Sequence, residues 1–134
     1  MNVYKLSQTI GVAGQIRPEI VPQIAEAGYK VLINNRPDGE EPGQPSSAEI
    51  AAAAEAAGLE YHYMPVTAMD FPGSSVEQMA DFFDDEDRPV FAFCRTGTRC
   101  TNLWVVTRDS DDQDSAAAHA RGIGFDLGMA ARVI

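Results

Sequence analysis

Residues 94–100, with the sequence CRTGTRC, carry the strongest chemical signal in the chain, directly after the apolar run of residues 89–93. A thiol with an ordinary pKa of about 8.5 is mostly protonated, and therefore weakly nucleophilic, near neutral pH. Backbone N–H groups and the positive end of a helix lower that pKa, and a loop between a strand and a helix supplies both. The sequence therefore predicts that Cys94 is a catalytic nucleophile at a strand-to-helix junction.

The residues that follow Cys94 suit an anionic ligand. Gly97 allows the backbone to curl so that successive N–H groups point inward. Arg99 offers a planar fork of donors that matches oxyanions, which makes it a second catalytic candidate. The predicted substrate-binding residues of the loop are Arg95, Thr96, Gly97 and Thr98. The alternative is that Cys94 is an inert buried cysteine and that both arginines are surface charges.

A second cysteine, Cys100, lies six positions after the first. If a helix begins near Arg99, the Cys100 thiol should lie close to Cys94. It could then donate a hydrogen bond to the thiolate, or attack a persulfide or sulfenic acid there as a redox partner. The other interpretation, a small core residue at a helix start, stays open beside it.

Two further loops should border the cysteine loop, because sites in parallel α/β sheets form beyond the carboxyl ends of the strands. The first loop carries Arg36 and Asp38, which could contact substrate or brace the loop. An internal pair of the two residues that shapes a proline-rich turn is the alternative. The second carries Asp70, which could protonate a leaving group as a general acid. A turn-forming aspartate just before Pro72 is the alternative for that residue.

The elements that must position these residues alternate between short apolar runs and helical patterns. This alternation predicts an α/β fold with a mostly parallel central sheet flanked by helices. The predicted strands are residues 4–10 with a short piece at 12–16 after a break at Gly11, then 30–34, 60–66 and 89–93. The predicted helices are residues 18–27, 48–57 with Ser47 as N-cap, 75–83, 101–108 and 115–121, with one more turn in the tail. Residues 1–134 are expected to form a single domain.

Composition excludes several classes of partner. With 10 basic and 20 acidic residues the net charge is −10, which argues against nucleic acid. No apolar run approaches the roughly 20 residues that span a bilayer, and the first residues lack a signal-peptide pattern. Two cysteines are too few for a disulfide framework, so we expect a cytoplasmic protein without a membrane partner. The two histidines lack partners at metal-ligand spacing, so neither metal nor cofactor is expected.

The cysteine loop resembles two known patterns. In cysteine-dependent protein tyrosine phosphatases, five residues separate the cysteine from the arginine, and the glycine is the third residue after the cysteine. Gly97 matches that glycine, but only four residues separate Cys94 from Arg99; Cys100 occupies the arginine position, and Phe93 replaces the usual histidine. Residues 94–99 also resemble the six-residue active loop of single-domain rhodaneses, which carry sulfane sulfur as a cysteine persulfide.

The wider chain is similar to the phosphatase-like domain of beta-lactamase hydrolase-like proteins. The shared segments are residues 14–15, 33–40, 53–58, 65–66 and 94–104. The resemblance implies a cysteine-dependent phosphatase-like fold, and members of this family are called either phosphatase-like or sulfur transferases. It therefore indicates the fold more firmly than the reaction.

Three functions follow from these observations. The first prediction is a rhodanese-like sulfurtransferase in which a Cys94 persulfide passes sulfur from a small anionic donor, bound by Arg95 and Arg99, to a thiol acceptor. The alternative is a phosphatase that hydrolyses a phosphate ester through phosphocysteine, with Asp70 as the acid. The second alternative is a non-catalytic module that binds an anion or senses redox state through a disulfide between Cys94 and Cys100.

Overall fold

The computed structural model of the chain describes residues 2–134, which contain a five-stranded sheet. The strands are β1 (Val3–Lys5), β2 (Ile10–Ala13), β3 (Val31–Asn34), β4 (Glu60–Tyr63) and β5 (Val90–Phe93). Their order across the sheet is β1-β2-β5-β3-β4. β1 is antiparallel to β2 and the other pairs are parallel. The predicted α/β class with a mostly parallel sheet is confirmed.

Helices cover both faces of this sheet. They are α1 (Val21–Glu26) after a 3-10 turn (Pro18–Ile20), α2 (Ser47–Ala57), α3 (Val76–Asp84), α4 (Thr98–Val106), α5 (Gln113–Ile123) and α6 (Gly128–Ala131). Apolar side chains of α1 and α2 form one core cluster with the sheet, and those of α3 to α6 form the other. Within residues 2–134, no helix has the length and apolar character needed to cross a membrane.

The central strand β5 is buried on both sides, as a strand in the middle of a parallel sheet must be. Its side chains alternate between the two faces, with Phe91 and Phe93 in the α1–α2 core and Ala92 in the opposite core. Cys94 continues the alternation and lies in the core under α3 to α6. The thiol therefore lies on the face of the sheet against which α4 packs.

The first strand prediction is wrong in its boundaries. The chain turns between Lys5 and Ile10, because the backbone N–H groups of Leu6 and Ser7 donate to the Ile10 carbonyl and close a hairpin. The predicted break at Gly11 falls inside β2 instead. A glycine is needed there because the Tyr29 hydroxyl occupies the space that a Cβ would require. β1 is consequently an antiparallel edge strand.

Several other boundaries also differ from the predictions by one or more residues, and three of them are described here. Ser46, rather than Ser47, caps α2, because its hydroxyl accepts from Glu49 N at 3.1 Å while the Glu49 carboxylate accepts from Ser46 N at 3.2 Å. β4 ends at Tyr63, three residues before the predicted end. α4 begins at Thr98 rather than residue 101, so the helix follows the cysteine loop directly. The single-domain organisation stays a prediction.

Candidate active site

The cysteine loop joins the carboxyl end of β5 to the amino end of α4. Cys94 is the first residue after the strand, and its backbone N–H donates to the Ala13 carbonyl at 3.3 Å. Gly97 caps the helix with a φ of 88°, in the left-handed region that costs other residues roughly 1 kcal/mol or more. The predicted strand-to-helix junction is therefore present, with the glycine where the backbone must reverse.

The sulfur of Cys94 is buried and bonded by the main chain. Gly97 N–H donates to Cys94 Sγ at 3.1 Å. The pKa of Cys94 is lowered to about 6: a hydrogen bond from the Cys100 side chain contributes most, burial opposes it, and backbone N–H groups and the Arg99 charge assist. Although Cys94 is fully buried, these groups lower its pKa enough to favour the thiolate at neutral pH, and its role as a nucleophile stays a prediction.

Cys100 lies in the first turn of α4 and is also fully buried. Burial and the neighbouring thiolate raise its pKa well above the ordinary value, so it remains a protonated thiol. A protonated thiol beside a thiolate can donate a hydrogen bond to it. The two cysteines are not joined by a disulfide. The predicted closeness of the two thiols is present, while the role of Cys100 as redox partner stays a prediction.

Arg99 is turned into the protein, with 13% of its side chain exposed. Its Nη1 donates to Glu40 Oε2 at 2.8 Å and to the Val66 carbonyl at 2.9 Å, and its Nη2 donates to Glu40 Oε1 at 2.7 Å. A guanidinium has five N–H donors in one plane. Within residues 2–134 the donors left without an acceptor are Nε–H and one N–H of Nη2. These two lie on one edge, which suits a pair of oxyanion oxygens.

The Glu40 carboxylate that binds Arg99 also accepts a hydrogen bond from a second arginine, Arg36. Arg36 is 1% exposed, and its Nε donates to Glu40 Oε1 and its Nη2 to Glu41 Oε1, both at 2.9 Å. The Nη1 of Arg36 donates to Gln15 Oε1 at 3.1 Å. Hydrogen bonding from Arg99, followed by that from Arg36, keeps the pKa of Glu40 below its ordinary value. Arg36 therefore braces the loop arginine through a shared carboxylate.

The partners of Arg36 are thus Glu40 and Glu41 rather than Asp38, and the alternative of an Arg36–Asp38 pair is wrong. The carboxylate of Asp38 accepts from Ser47 N at 2.7 Å, while its own N–H donates to the Tyr63 hydroxyl at 2.9 Å. These bonds attach the loop after β3 to the start of α2 and to the end of β4. A contact of Arg36 or Asp38 with substrate stays a prediction.

Asp70 lies in the loop after β4, which borders the site because its Val66 carbonyl binds Arg99. Its Oδ1 accepts from the backbone N–H of Thr67 at 2.6 Å and from the Thr67 hydroxyl at 2.9 Å. Asp70 is exposed and closes the turn that begins three residues earlier. This geometry matches the turn-forming alternative, and its role as general acid stays a prediction.

The remaining loop residues face outward. Arg95 is 65% exposed in its side chain, with a Glu41 carboxylate oxygen 4.0 Å away. The hydroxyl groups of Thr96 and Thr98 are hydrogen-bonded at 2.9 Å. The backbone of the loop is also bonded to the segment after β2, because the Arg95 carbonyl accepts from Gln15 N at 3.2 Å. A polar cavity of about 350 Å³ is lined by Arg36, Glu40, Glu41, Arg95 and Arg99.

Sequence reasoning missed the carboxylates that organise this cavity. Glu40 and Glu41 lie in the proline- and glycine-rich segment that was predicted only as a loop. Gln15 and the Val66 carbonyl were also not assigned a role. Charge complementarity to the two arginines is a signal, but 59 positions separate Glu40 from Arg99 and nothing local links them. Among residues 2–134, no group of three or more His, Cys, Asp or Glu side chains could hold a metal ion.

A mostly parallel sheet, a thiolate after its central strand and an arginine at the next helix start define a cysteine-dependent phosphatase-like protein. The profile of the family described as beta-lactamase hydrolase-like protein, phosphatase-like domain, matches residues 2–111, and the chain belongs to this family. A beta-lactamase hydrolase-like protein of Agrobacterium fabrum is 34% identical over 98% of the chain. The match covers 31% of that relative, so the chain spans about a third of its length.

Solved structures agree with this assignment. A Neisseria meningitidis protein, described as a candidate phosphatase, superposes with a TM-score of 0.81 at 37% identity, covering 96% of this chain and 92% of that one. The kinase associated phosphatase, solved with its catalytic-site cysteine replaced by serine, superposes with a TM-score of 0.71 at 12% identity. That match covers 96% of this chain and 84% of the other and supports the fold alone.

Proposed function

We propose that the chain is a cysteine-dependent phosphatase that acts on a phosphate monoester. One observation carries the proposal: the same loop contains a Cys94 thiol with a pKa of about 6 and an Arg99 guanidinium that has two N–H donors without an acceptor. The family and the similarity to the Neisseria protein support phosphoryl chemistry over other uses of such a loop.

The reaction has two displacements. Cys94 Sγ attacks phosphorus, a sulfur–phosphorus bond forms, and the phosphorus–oxygen bond to the leaving group breaks. The departing oxygen takes a proton from an acid, and Asp70 is the proposed acid. Water then attacks phosphocysteine, the sulfur leaves as thiolate and inorganic phosphate departs. Arg99 and the loop N–H groups would stabilise the charge on the phosphoryl oxygens in both steps. Arg95, Thr96 and Thr98 are proposed to contact the ester outside the loop.

Sulfur transfer is the second candidate, and the size of the loop favours it. Four residues separate Cys94 from Arg99, and Gly97 N–H bonds the buried sulfur directly. A tight ring accommodates one added sulfur atom more readily than a phosphoryl group with three oxygens. In this reaction the Cys94 thiolate attacks the outer sulfur of a persulfide, the sulfur–sulfur bond breaks, and a thiolate leaves. Cys94 persulfide then gives that sulfur to a thiol acceptor.

One protein preparation can separate the two reactions. For the phosphatase we expect release of phosphate from phenyl phosphate, lost in Cys94→Ser. For the sulfurtransferase we expect Cys94 to gain the mass of one sulfur atom after exposure to thiosulfate or glutathione persulfide, again lost in Cys94→Ser. No phosphate release by a folded protein, together with a stable sulfur adduct, would overturn the phosphatase proposal. The redox-sensor alternative requires that both reactions be absent while hydrogen peroxide joins Cys94 to Cys100.

A further inference from the structure

One buried asparagine, Asn35, contacts the segments on both sides of the site. It follows β3 directly and is fully buried. We propose that Asn35 is a positioning residue, which sets the place of the Arg99 guanidinium relative to Cys94 by fixing the Val66 carbonyl. The inference rests on the proposed function, because it takes Arg99 as the residue that binds the oxyanion of the same reaction.

The main chain of Asn35 joins β5 to the segment after β4. Its N–H donates to the Phe93 carbonyl at 2.9 Å, and Phe93 is the last residue of β5 before Cys94. Its own carbonyl accepts from Val66 N at 3.0 Å. The Val66 carbonyl in turn accepts from Arg99 Nη1 at 2.9 Å. A continuous series of hydrogen-bonded residues therefore runs from the residue before Cys94 to the guanidinium of Arg99.

The side chain of Asn35 fixes the same segment at a second point. Its Nδ2 donates to the Met64 carbonyl at 2.8 Å, two residues before Val66, and to Met79 Sδ at 3.6 Å. Pro65 lies between the two residues that Asn35 binds, and its ring restricts the backbone rotation there. Two anchors on either side of a proline leave the Val66 carbonyl little freedom to turn away from the guanidinium.

The amide oxygen of Asn35 indicates that the side chain contributes little net stability. The atom that faces the Met64 carbonyl must be the donor, so the other amide atom is Oδ1. This oxygen is buried and has no hydrogen-bond partner within residues 2–134. A buried acceptor without a donor is destabilising and offsets much of the stability that the Nδ2 bond contributes. We therefore expect substitution of Asn35 to change the site more than the stability of the fold.

Two variants test the proposal. Asn35→Leu keeps the number and branching of the side-chain heavy atoms but removes the donor, and Asn35→Ala removes the donor without crowding the core. The matched control is Gln113→Met, which removes an amide that donates to two carbonyls at the end of α4 far from the cysteine loop. Titration calorimetry with inorganic phosphate reports on Arg99, and the pH dependence of iodoacetamide labelling reports on Cys94.

We expect both Asn35 variants to weaken phosphate binding by about tenfold or more, as for a lost hydrogen bond to a charged group. The alkylation midpoint of Cys94 should stay near 6, because the Cys100 side chain lowers that pKa most and the Arg99 charge only assists. Gln113→Met should change neither quantity.

Four results would overturn the inference. The first is phosphate affinity that is unchanged in both Asn35 variants, and the second is a failure of the unmodified protein to bind phosphate. The third is a Cys94 midpoint that rises together with the loss of phosphate binding, since the whole loop would then have been disturbed. The fourth is a loss of the cooperative urea transition in both variants, which would make Asn35 a residue of the folding core.

Hydrolysis of phenyl phosphate separates this inference from the proposed function. If phosphate binding follows the expected pattern while no ester is hydrolysed, the positioning role of Asn35 stands and the phosphatase proposal falls. If the unmodified protein hydrolyses the ester and the Asn35 variants bind phosphate normally, the phosphatase proposal stands and the positioning role falls.

Discussion

Two loops at the same edge of the sheet are built in different ways. The cysteine loop is fixed by contacts between distant parts of the chain: Arg99 binds Glu40, and Arg36, 1% exposed, binds both Glu40 and Gln15. The loop after β4 instead closes on itself, since Asp70 bonds Thr67 three residues earlier and stays exposed. Cys94 and Arg99, the proposed nucleophile and the proposed anion-binding residue, thus belong to the packed structure, whereas Asp70, the candidate acid, does not. Four experiments test this contrast.

The largest expected effect concerns the ionisation of Cys94. Because its folded pKa is lowered from 9.0 to about 6, alkylation should rise with pH through about 6 and level off above 7. Cys100, whose pKa is raised, should react far more slowly at neutral pH. Iodoacetamide labelling followed by trypsin measures both, since cleavage after Arg95 and Arg99 puts the two cysteines on separate peptides.

The Cys100→Ala variant is the internal comparison for that measurement. The Cys100 side chain makes the largest contribution to lowering the pKa of Cys94, so its removal should move the alkylation midpoint to higher pH. A midpoint near 9 in the unmodified protein would show an ordinary thiol. The cysteine loop would then lose the electrostatic property that separates it from the loop after β4.

The second experiment removes the brace of the cysteine loop. Arg36→Ala leaves Glu40 and Glu41 without their buried partner, which costs about 3 kcal/mol or more when the remaining charge is fully buried. Because these carboxylates are 28% and 48% exposed, we expect a smaller loss, about 2 kcal/mol in the free energy of unfolding. Urea denaturation measures it. Arg17→Ala, which removes an exposed pair with Glu19, is the control and should cost under about 0.5 kcal/mol.

The parts of this site that local sequence could predict are those held by local structure. An apolar strand, a cysteine, a glycine and a helix follow one another within about ten residues, so the junction at Cys94 and the inward N–H of Gly97 could be predicted. The Arg99–Glu40 contact joins residues 59 positions apart. It exists because β5 lies beside β3 in the sheet, which no local pattern specifies.

The wrong boundaries have similar physical reasons. Leu6 and Ile10 are both apolar and buried, so the hydrophobic pattern of residues 4–10 predicts one strand, although a hairpin turn separates the two residues. Ser46 and Ser47 are both suitable N-caps, and Glu49 decides between them because it is the third helical residue after Ser46. Such choices depend on which carbonyl or carboxylate is within reach after folding.

The third experiment tests the backbone of the cysteine loop. Gly97→Ala places a Cβ at a φ of 88° and 3.4 Å from the Phe125 ring. We expect about 1–2 kcal/mol of destabilisation from the left-handed conformation, measured by thermal unfolding. If the backbone relaxes, the N–H bond to Cys94 is lost and the alkylation midpoint rises. An exposed glycine with a similar φ of 76°, Gly39, is the control: its Cβ meets nothing within 4 Å, so Gly39→Ala should cost conformational strain alone.

The smallest effect is expected at Asp70, where two variants separate a turn residue from a catalytic acid. Asn keeps an oxygen that can accept from Thr67, whereas Ala does not. A turn role therefore predicts that Asp70→Ala loses about 1 kcal/mol of stability and that Asp70→Asn loses little, with kcat for phenyl phosphate unchanged in both. A general acid predicts a loss of about 100-fold or more in kcat for Asp70→Asn despite intact folding. That second result would mean that the loop after β4 moves Asp70 toward the leaving group during turnover, and the contrast between the two loops would describe only the resting protein.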